Sequence, residues 1–525
     1  MNKKIILDVL WVVGILSGIV LCLWGINVPY VGIYNANNNY LALASKNFLR
    51  FGYGALHFLP TYYVGSALPS AVPYYLHHPV VFFLIASLPF RWFGSDTWVV
   101  HAATLGFLFA SIWMLYLVVC EIWSQEVARW TAVCATVITL TSFFWKYMFF
   151  EQSSLFFTLA TVFFCIRYWK TPKRTYLIGV AVASFFGGAT DWYGGYLMFG
   201  FVYLLWTRSG TRVWTVFRTY IAGELLGLGT YVAALVLTGN LGAFWEGFSA
   251  RGLTSELTSL SYWPVRLGIV TLIRLLIYVS PLIIFALWRW MRDIQTVPAP
   301  ARRIGMIFLI IGIINIAVLP SATWGHSYFL FYLMPFVALT MGAWIAGLTK
   351  KSAGVVCLVV LFQLGWSTGV GALKLSQVTK QTWKYDFGRD ASRKIPRYSR
   401  VGVLEYPGDV LQNYFFIDAL PMSQESIRTW QKTGLPADIR QILVTCKGTC
   451  TPEERLFIRK ETAVLGVTAY HYGQNSGWVL DRGEPGEAQM SLDEPSAKGE
   501  NPIVAPSGLL RIYRQVRDFL GSTQI

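Results

Sequence analysis

Long apolar runs broken by short polar loops fill the first 371 residues, and after that the pattern changes. Eleven stretches read as membrane-spanning helices: roughly 5–26, 98–121, 129–145, 152–169, 175–190, 194–207, 214–237, 264–289, 304–320, 328–348 and 354–371. One apolar run does not fit that series. Pro79 to Phe90 has only twelve residues, short of the roughly 20 that a span needs. It predicts a segment that dips into the bilayer without crossing it. Upstream, Asn39 to Phe51 sets Leu41, Ala44, Phe48 and Phe51 at helical spacing, with Lys46, Asn47 and Arg50 as polar relief. That pattern predicts an amphipathic helix lying on the membrane.

Loop charge orders these segments. With the N-terminus inside, the inner loops hold Arg129, Lys170 to Arg174, Arg208 to Arg212, Arg289 to Arg303 and Lys350-Lys351. The outer connections near 146–151, 190–194 and 321–327 carry only Lys146. Counting 79–93 as a full span would move every later loop to the other side. Residues 27–97 therefore read as one long outer loop, and the odd number of spans puts the C-terminal part outside. The first helix follows Lys3-Lys4 without a small-residue cleavage site, so it reads as a retained anchor.

Residues 372–525 hold 17 of the 27 acidic residues and read as a soluble domain. Strands are expected at Arg400 to Glu405 and Gln441 to Thr445, and helices at Pro407 to Ala419 and Pro452 to Thr462. Residues 483–506, rich in Glu, Pro, Gly and Ser, read as a loop or disordered insert. The fold class is thus an α-helical polytopic membrane domain, 1–371, joined to a small α/β domain, 372–525. Cys446 and Cys450 suit a local disulfide better than zinc, which needs two further ligands.

Composition agrees: 55% hydrophobic and 13% charged residues exclude a soluble protein. The net charge of +16 lies mostly in loops between apolar helices, with no basic groove, so no nucleic acid is implied.

Only ten carboxylates fall in the membrane part, which makes each informative. Asp8, Glu121, Glu126 and Asp293 fall at the inner face, where solvation or orientation explains them. Asp96 reads as the cap of the helix starting at Thr97. Glu246 and Glu256 sit in an outer loop. Glu224 lies within a span, beyond Arg218, as a candidate paired charge. Glu151 and Asp191 stand at outer helix ends among aromatic residues, where partial desolvation suits a carboxylate to accept a proton. Helix capping also explains an acid at either place, but not the aromatic surroundings. His77, His78 and His326 share that outer face. Two acids and three histidines could ligate a divalent metal, but no tight ligand spacing indicates one.

The order of these parts resembles the GT-C glycosyltransferases, in particular the protein mannosyltransferase and aminoarabinose transferase-like enzymes. Tyr40 to Gly52 is similar to the family's loop helix, and His77-His78-Pro79-Val80 resembles its His-Pro-Pro or Lys-Pro-Pro motif. Glu151 matches a later acid, Asp191-Trp192 resembles an Asp-Trp of one bacterial branch, and His326 to Pro335 resembles that branch's His-x-Tyr segment. The chain departs from the family at Asn37-Asn38, where an Asp-Glu pair with the presumed base usually stands. No acid occurs between Asp8 and Asp96. Either the base has moved to Glu151, Asp191 or a histidine, or the chain is silent; the branch with His-His-Pro has similar Asn-rich text, which favours relocation.

The resemblance implies a multi-pass protein of the cytoplasmic membrane. It would transfer a sugar from a polyprenyl-phosphate donor to a lipid, protein or polysaccharide acceptor on the outer side. The catalytic candidates are Glu151, Asp191 and His78. Lys46, Arg50, Lys146 and Arg251 could meet the phosphate, and Asn35, Asn37, Asn38, Trp192 and Tyr193 the sugar. His77, His326 and Tyr328 complete the binding set. A transporter or lipid flippase, or a non-catalytic glycan-binding scaffold, is the alternative.

Overall fold

The computed structural model describes residues 3–32, 35–94, 96–207, 210–249, 263–318, 320–393, 395, 397–404 and 410–421, with strands 439–445, 468–472 and 477–481. The expected helix at 452–462, the insert at 483–506, Cys446, Cys450, Arg251 and Glu256 lie outside the described residues.

From the N-terminus run α1 (Lys3–Leu23), α2 (Asn35–Phe51), α3 (Val81–Phe93) and α4 (Thr97–Ile122). Next come α5 (Gln125–Val137), α6 (Thr139–Ser142), α7 (Phe150–Lys170), α8 (Arg174–Thr190), α9 (Leu197–Thr207) and α10 (Thr211–Leu237). Then follow α11 (Leu241–Ser249), α12 (Trp263–Tyr278), α13 (Leu282–Arg292), α14 (Ala299–Val318) and α15 (Pro320–Gly325). The last are α16 (Met334–Thr349), α17 (Ala353–Thr379) and α18 (Trp383–Ala391). This is a polytopic membrane protein. Among the described residues six helices are long and apolar enough to cross a bilayer, or eight if two bent pairs each count as one span.

Three of the eleven expected spans, seen as α7, α8 and α9, fall below that test for two reasons. α7 begins with Glu151, Gln152, Ser153 and Ser154, all buried inside the bundle rather than facing lipid. α9 has eleven residues, about 16 Å of helix at 1.5 Å per residue. Two expected single spans are broken. The 129–145 segment bends by 52° after Val137. There the Thr141 hydroxyl donates to the carbonyls of Ala135 (2.5 Å) and Ile138 (2.8 Å), competing with the helical ladder. The 264–289 segment turns by 111° between α12 and α13, because Pro281 lacks an N–H and pushes Ser280 out of the helical region. The expected domain boundary at 371 falls inside α17, which continues to Thr379.

The expected inner loops gather at one end of the bundle. Lys3 donates to the Lys350 carbonyl (3.1 Å), Arg129 pairs with Asp8 (3.2 Å), and Arg212 donates to the Trp169 carbonyl (3.1 Å). Glu121 is bridged by Arg167 (2.6 Å) and Lys170 (2.8 Å). Glu151, at the start of α7, is therefore at the opposite end. α3 has thirteen residues, about 20 Å, too short to cross as expected. Asp96 precedes α4 with extended backbone, but its side chain makes no capping bond.

Helix α2 corrects one expectation. Leu41, Ala44 and Phe48 are buried, but so are Asn38, Asn39, Ser45, Lys46 and Asn47. It is enclosed rather than laid on a surface: Asn47 donates to the Thr61 and Tyr63 carbonyls, and Lys46 and Asn39 meet Asn413 of the C-terminal part. That part forms a five-stranded sheet of β1 (Arg400–Leu404), β2 (Asp418–Pro421), β3 (Ile439–Thr445), β4 (Thr468–Tyr472) and β5 (Gly477–Asp481), in the order β2-β1-β3-β5-β4. β1 runs parallel to β2 and β3, and β5 antiparallel to β3 and β4. Val401, Val403, Leu411 and Ile417 centre its own small core with Phe387 of α18. Within the expected helix at 407–419, the described residues 410–419 form a single wide turn, Leu411–Phe415, followed by the start of β2.

The site depends on how closely α8 and α10 approach. Gly223 and Gly227 face α8 one turn apart, and Gly188 faces α10, the small-residue spacing that lets membrane helices touch backbone to backbone. A Cβ on Gly227 would overlap the Phe185 carbonyl. Gly227→Ala is expected to separate the two helices and cost about 1–3 kcal/mol, read as a lower thermal unfolding midpoint. An unchanged midpoint would contradict this packing.

Candidate active site

The short α3 starts at Val81, two residues after Pro79, and carries a second proline, Pro89, in its interior. His77 and His78 form the bend that leads into it. His77 is held by its backbone: its carbonyl accepts from the Trp192 indole N–H (2.9 Å), and its ring lies edge-on to Tyr75 (5.2 Å). The neighbouring Leu76 carbonyl accepts from the Tyr231 hydroxyl (2.7 Å). His78 is thereby pressed flat against Phe150, with ring centroids 4.1 Å apart.

Across from it, α8 ends at Thr190 and a turn of 3-10 helix, Trp192–Tyr196, carries the chain into α9. Asp191 caps that turn, its Oδ1 accepting from the Trp192 N–H at 2.8 Å. The same oxygen meets His78 Nδ1 at 2.9 Å. Asp191 is wholly buried, whereas His78 keeps 21% of its side chain exposed. The carboxylate is the base of the pocket and the imidazole its accessible edge.

Glu151, 4% exposed, sits in the first turn of α7 within electrostatic reach of Asp191. Its Oε2 and the Asp191 Oδ2 have no hydrogen-bond partner among the described residues. Tyr193, Tyr196 and Tyr332 lie within electrostatic reach of both acids. Burial pushes the Asp191 carboxyl well above the usual carboxylate range, with the Trp192 N–H pulling the other way. Glu224 does not pair with Arg218; that guanidinium lies over Trp214 (5.9 Å). Its carboxylate is instead packed against Gly187, Gly188 and Gly194 beneath the same turn.

His326 is brought to the same end but not into this pocket. It stacks on Tyr328 (5.1 Å), which stacks on Phe149 (3.8 Å). Burial and the nearby Arg274 push the His326 imidazole down to about 4, so it stays neutral at physiological pH. Arg274 itself is fully buried, donating to the Thr323 carbonyl and to the Trp324 carbonyl (2.6 Å). Sequence reasoning missed it, although an arginine amid the apolar run of α12 was a signal. It missed Phe150, Tyr196 and Tyr332 as well; their only signal was adjacency to Glu151, Asp191 and Tyr328.

Three candidate phosphate ligands are committed elsewhere. Lys146 donates to the Trp24 carbonyl beyond the end of α1. Arg50 donates to Asn47 (3.0 Å) and the Gly65 carbonyl (2.7 Å), and its guanidinium covers Tyr398 and Phe416 at 4.7 and 4.9 Å. Lys46 donates to the Asn413 carbonyl and to its Oδ1, both at 2.9 Å. Of the asparagines, Asn38 accepts from the Met148 N–H. Asn35 and Asn37 lie in the first turn of α2. Asn39 extends the Lys46 cluster, accepting from Asn413 Nδ2 (2.7 Å) and donating to the Tyr30 carbonyl (2.9 Å). Among the described residues no group of three or more His, Cys, Asp or Glu side chains could hold a metal ion.

No family model and no curated protein matches the sequence. Solved structures do. ArnT from Cupriavidus metallidurans bound to undecaprenyl phosphate is similar over 89% of this chain and 97% of its own, with a TM-score of 0.63 at 11% identity. The chain has the GT-C glycosyltransferase fold. The oligosaccharyltransferase of Archaeoglobus fulgidus, solved with zinc and sulfate, shares the fold at a TM-score of 0.52 and 12% identity, over 90% of this chain and 73% of that one. The mycobacterial arabinofuranosyltransferase AftD aligns at 0.50 and 13%, over 93% and 40%.

Lys46 yields a pH test of this arrangement. Burial pushes its ammonium down to about 7 from an ordinary 10.5, with Asp96 opposing. The unfolded chain therefore holds a proton there between about 7 and 10.5 that the folded chain does not, and stability rises with pH across that window. Lys46→Met, which removes the titrating group, is expected to flatten the rise in a denaturation series. A rise that persists in the variant would assign it to another group.

Proposed function

We propose that this protein transfers a sugar from a polyprenyl-phosphate donor to an acceptor hydroxyl, working at the outer face of the cytoplasmic membrane. The observation that carries the reading is the His78–Asp191 hydrogen bond at 2.9 Å, with the acid buried and the imidazole accessible. Asp191 accepts the Nδ1 proton, which leaves Nε2 as an acceptor for an incoming hydroxyl, the logic of a base held in one tautomer by an acid. The acceptor oxygen attacks the anomeric carbon, the sugar–phosphate bond breaks, and the lipid phosphate leaves with the bonding electrons. The hydroxyl proton goes to His78 Nε2. Attack opposite the phosphate inverts the anomeric centre. Glu151 lies within electrostatic reach of Asp191, and a neutral carboxyl there can donate to sugar or phosphate oxygens.

Asn38 supports relocation of the base. At the position where relatives carry an acid, its amide is used to hold the Met148 backbone just ahead of Glu151. The bound lipid of the ArnT structure favours the same donor class. A flippase would set its polar groups at mid-membrane between inverted repeats. Here the two unpartnered carboxylate oxygens sit together at one end, which favours the enzyme.

Turnover of undecaprenyl-phosphate sugar donors by purified protein tests the reading. His78→Ala and Asp191→Asn are expected to lose on the order of 10²–10⁴-fold in rate, and Glu151→Gln to lose activity too. A scaffold would show no turnover to lose, and unchanged rates in all three variants would remove the site from the chemistry.

The pH profile gives a separate check. When Asp191 takes a proton it donates to Nδ1, so Nε2 carries the hydrogen and cannot accept. Because burial raises that carboxyl, the rate is expected to fall, as pH drops, well above the usual carboxylate range. An acid limb near 4 would contradict the dyad.

A further inference from the structure

The end of the bundle away from Glu151 contains a cavity of about 240 Å³. Lys170, Arg303, Trp169, Ile166, Leu204 and Ile304 line it, with Glu121 also in the wall. Beyond Trp169, Leu204 and Ile304 the helices close on one another, leaving a gap of only about 10 Å³ beside Cys165, Ile307 and Leu197. The space thus has charged groups at its rim and apolar walls.

The charge at the mouth is unbalanced. Glu121 is already bridged by Arg167 and Lys170. Arg303 makes no ion pair among the described residues, and it lies in the opening turns of α14, where the helix dipole disfavours a cation. Basic loops orient a membrane protein, but orientation does not require an arginine to face a cavity.

We propose that this cavity binds the headgroup of an anionic phospholipid, its phosphate held by Arg303 and by Lys170, which it shares with Glu121, and its acyl chains lying in the bilayer beside α7, α9 and α14. A zwitterionic headgroup would set its own ammonium against Arg303 and the excess of cations over Glu121. The sugar donor is the wrong occupant, because its phosphate must meet His78, beside the opposite end of α7 about 28 Å away. The bound lipid fastens the near ends of three helices whose far ends carry Glu151 and the Trp192–Tyr196 turn. The site shares no residue with the His78–Asp191 pocket, so its test is independent of glycosyl transfer.

Native mass spectrometry of the full-length, delipidated protein decides the matter, with dioleoyl phosphatidylglycerol and dioleoyl phosphatidylcholine offered in equal amounts. The wild type is expected to retain one phosphatidylglycerol, with a preference of roughly fivefold for each of the two cations. Arg303→Gln breaks no ion pair among the described residues and is expected to cut that preference about fivefold; Lys170→Gln should do the same. Leu204→Trp, which narrows the cavity, should weaken both lipids. Equal retention of the two lipids by the wild type, or a preference that survives both charge variants, would overturn the proposal. So would undecaprenyl phosphate displacing phosphatidylglycerol in a manner sensitive to Arg303.

Discussion

Two carboxylates buried side by side, away from any paired cation, are the constraint around which this molecule is built. Removing such groups from water is costly unless hydrogen bonds replace the solvent. Asp191 has two such bonds, from His78 and from the Trp192 N–H. The Trp192 bond is local to the turn, but the His78 bond can exist only if segments 113 residues apart are held within ångströms of each other. The glycine contacts of α8 and α10 place the turn, and the bend ahead of the short α3 places His78. The stack on Phe150 then fixes the ring plane. If any of the three were loosened, water or a proton would satisfy the acid instead.

The two ends of the bundle divide the labour. One end collects basic loops, where Asp8, Glu121 and Asp293 are ion-paired and Glu126 accepts from Thr349, and surface pairs of that kind contribute little to stability. The other end hides Glu151 and Asp191 and leaves a carboxylate oxygen of each unpartnered among the described residues. α7 joins the two, with Glu151 at one terminus and Lys170 at the other. A transfer between a membrane-bound donor and an acceptor in water needs this asymmetry, because only one face can hold the reacting groups.

Much of this was legible in the chain. His77-His78-Pro79 and Asp191-Trp192 stood out because polar groups in apolar text must have a partner. The loop charges correctly grouped the bundle ends. The partners that hold Lys46, Arg50 and Lys146 were not legible, because they are backbone carbonyls and the asparagines Asn413 and Asn47, up to 367 residues away. Nothing in the local pattern of α2 reveals that the turn at Leu411–Phe415 will cover its polar face. The break at Pro281 was visible as a residue type but was outweighed by the hydropathy around it. Arg274 was overlooked for the same reason, as one cation in an apolar window.

The most direct test of the central claim is a structure of the protein with undecaprenyl phosphate bound in a lipid nanodisc. The account expects the phosphate density at the mouth of the His78–Asp191 pocket, within hydrogen-bonding reach of His78 Nε2 and with the dyad intact. Phosphate at the Lys170 end, or a bound state in which His78 has swung away from Asp191, would contradict it.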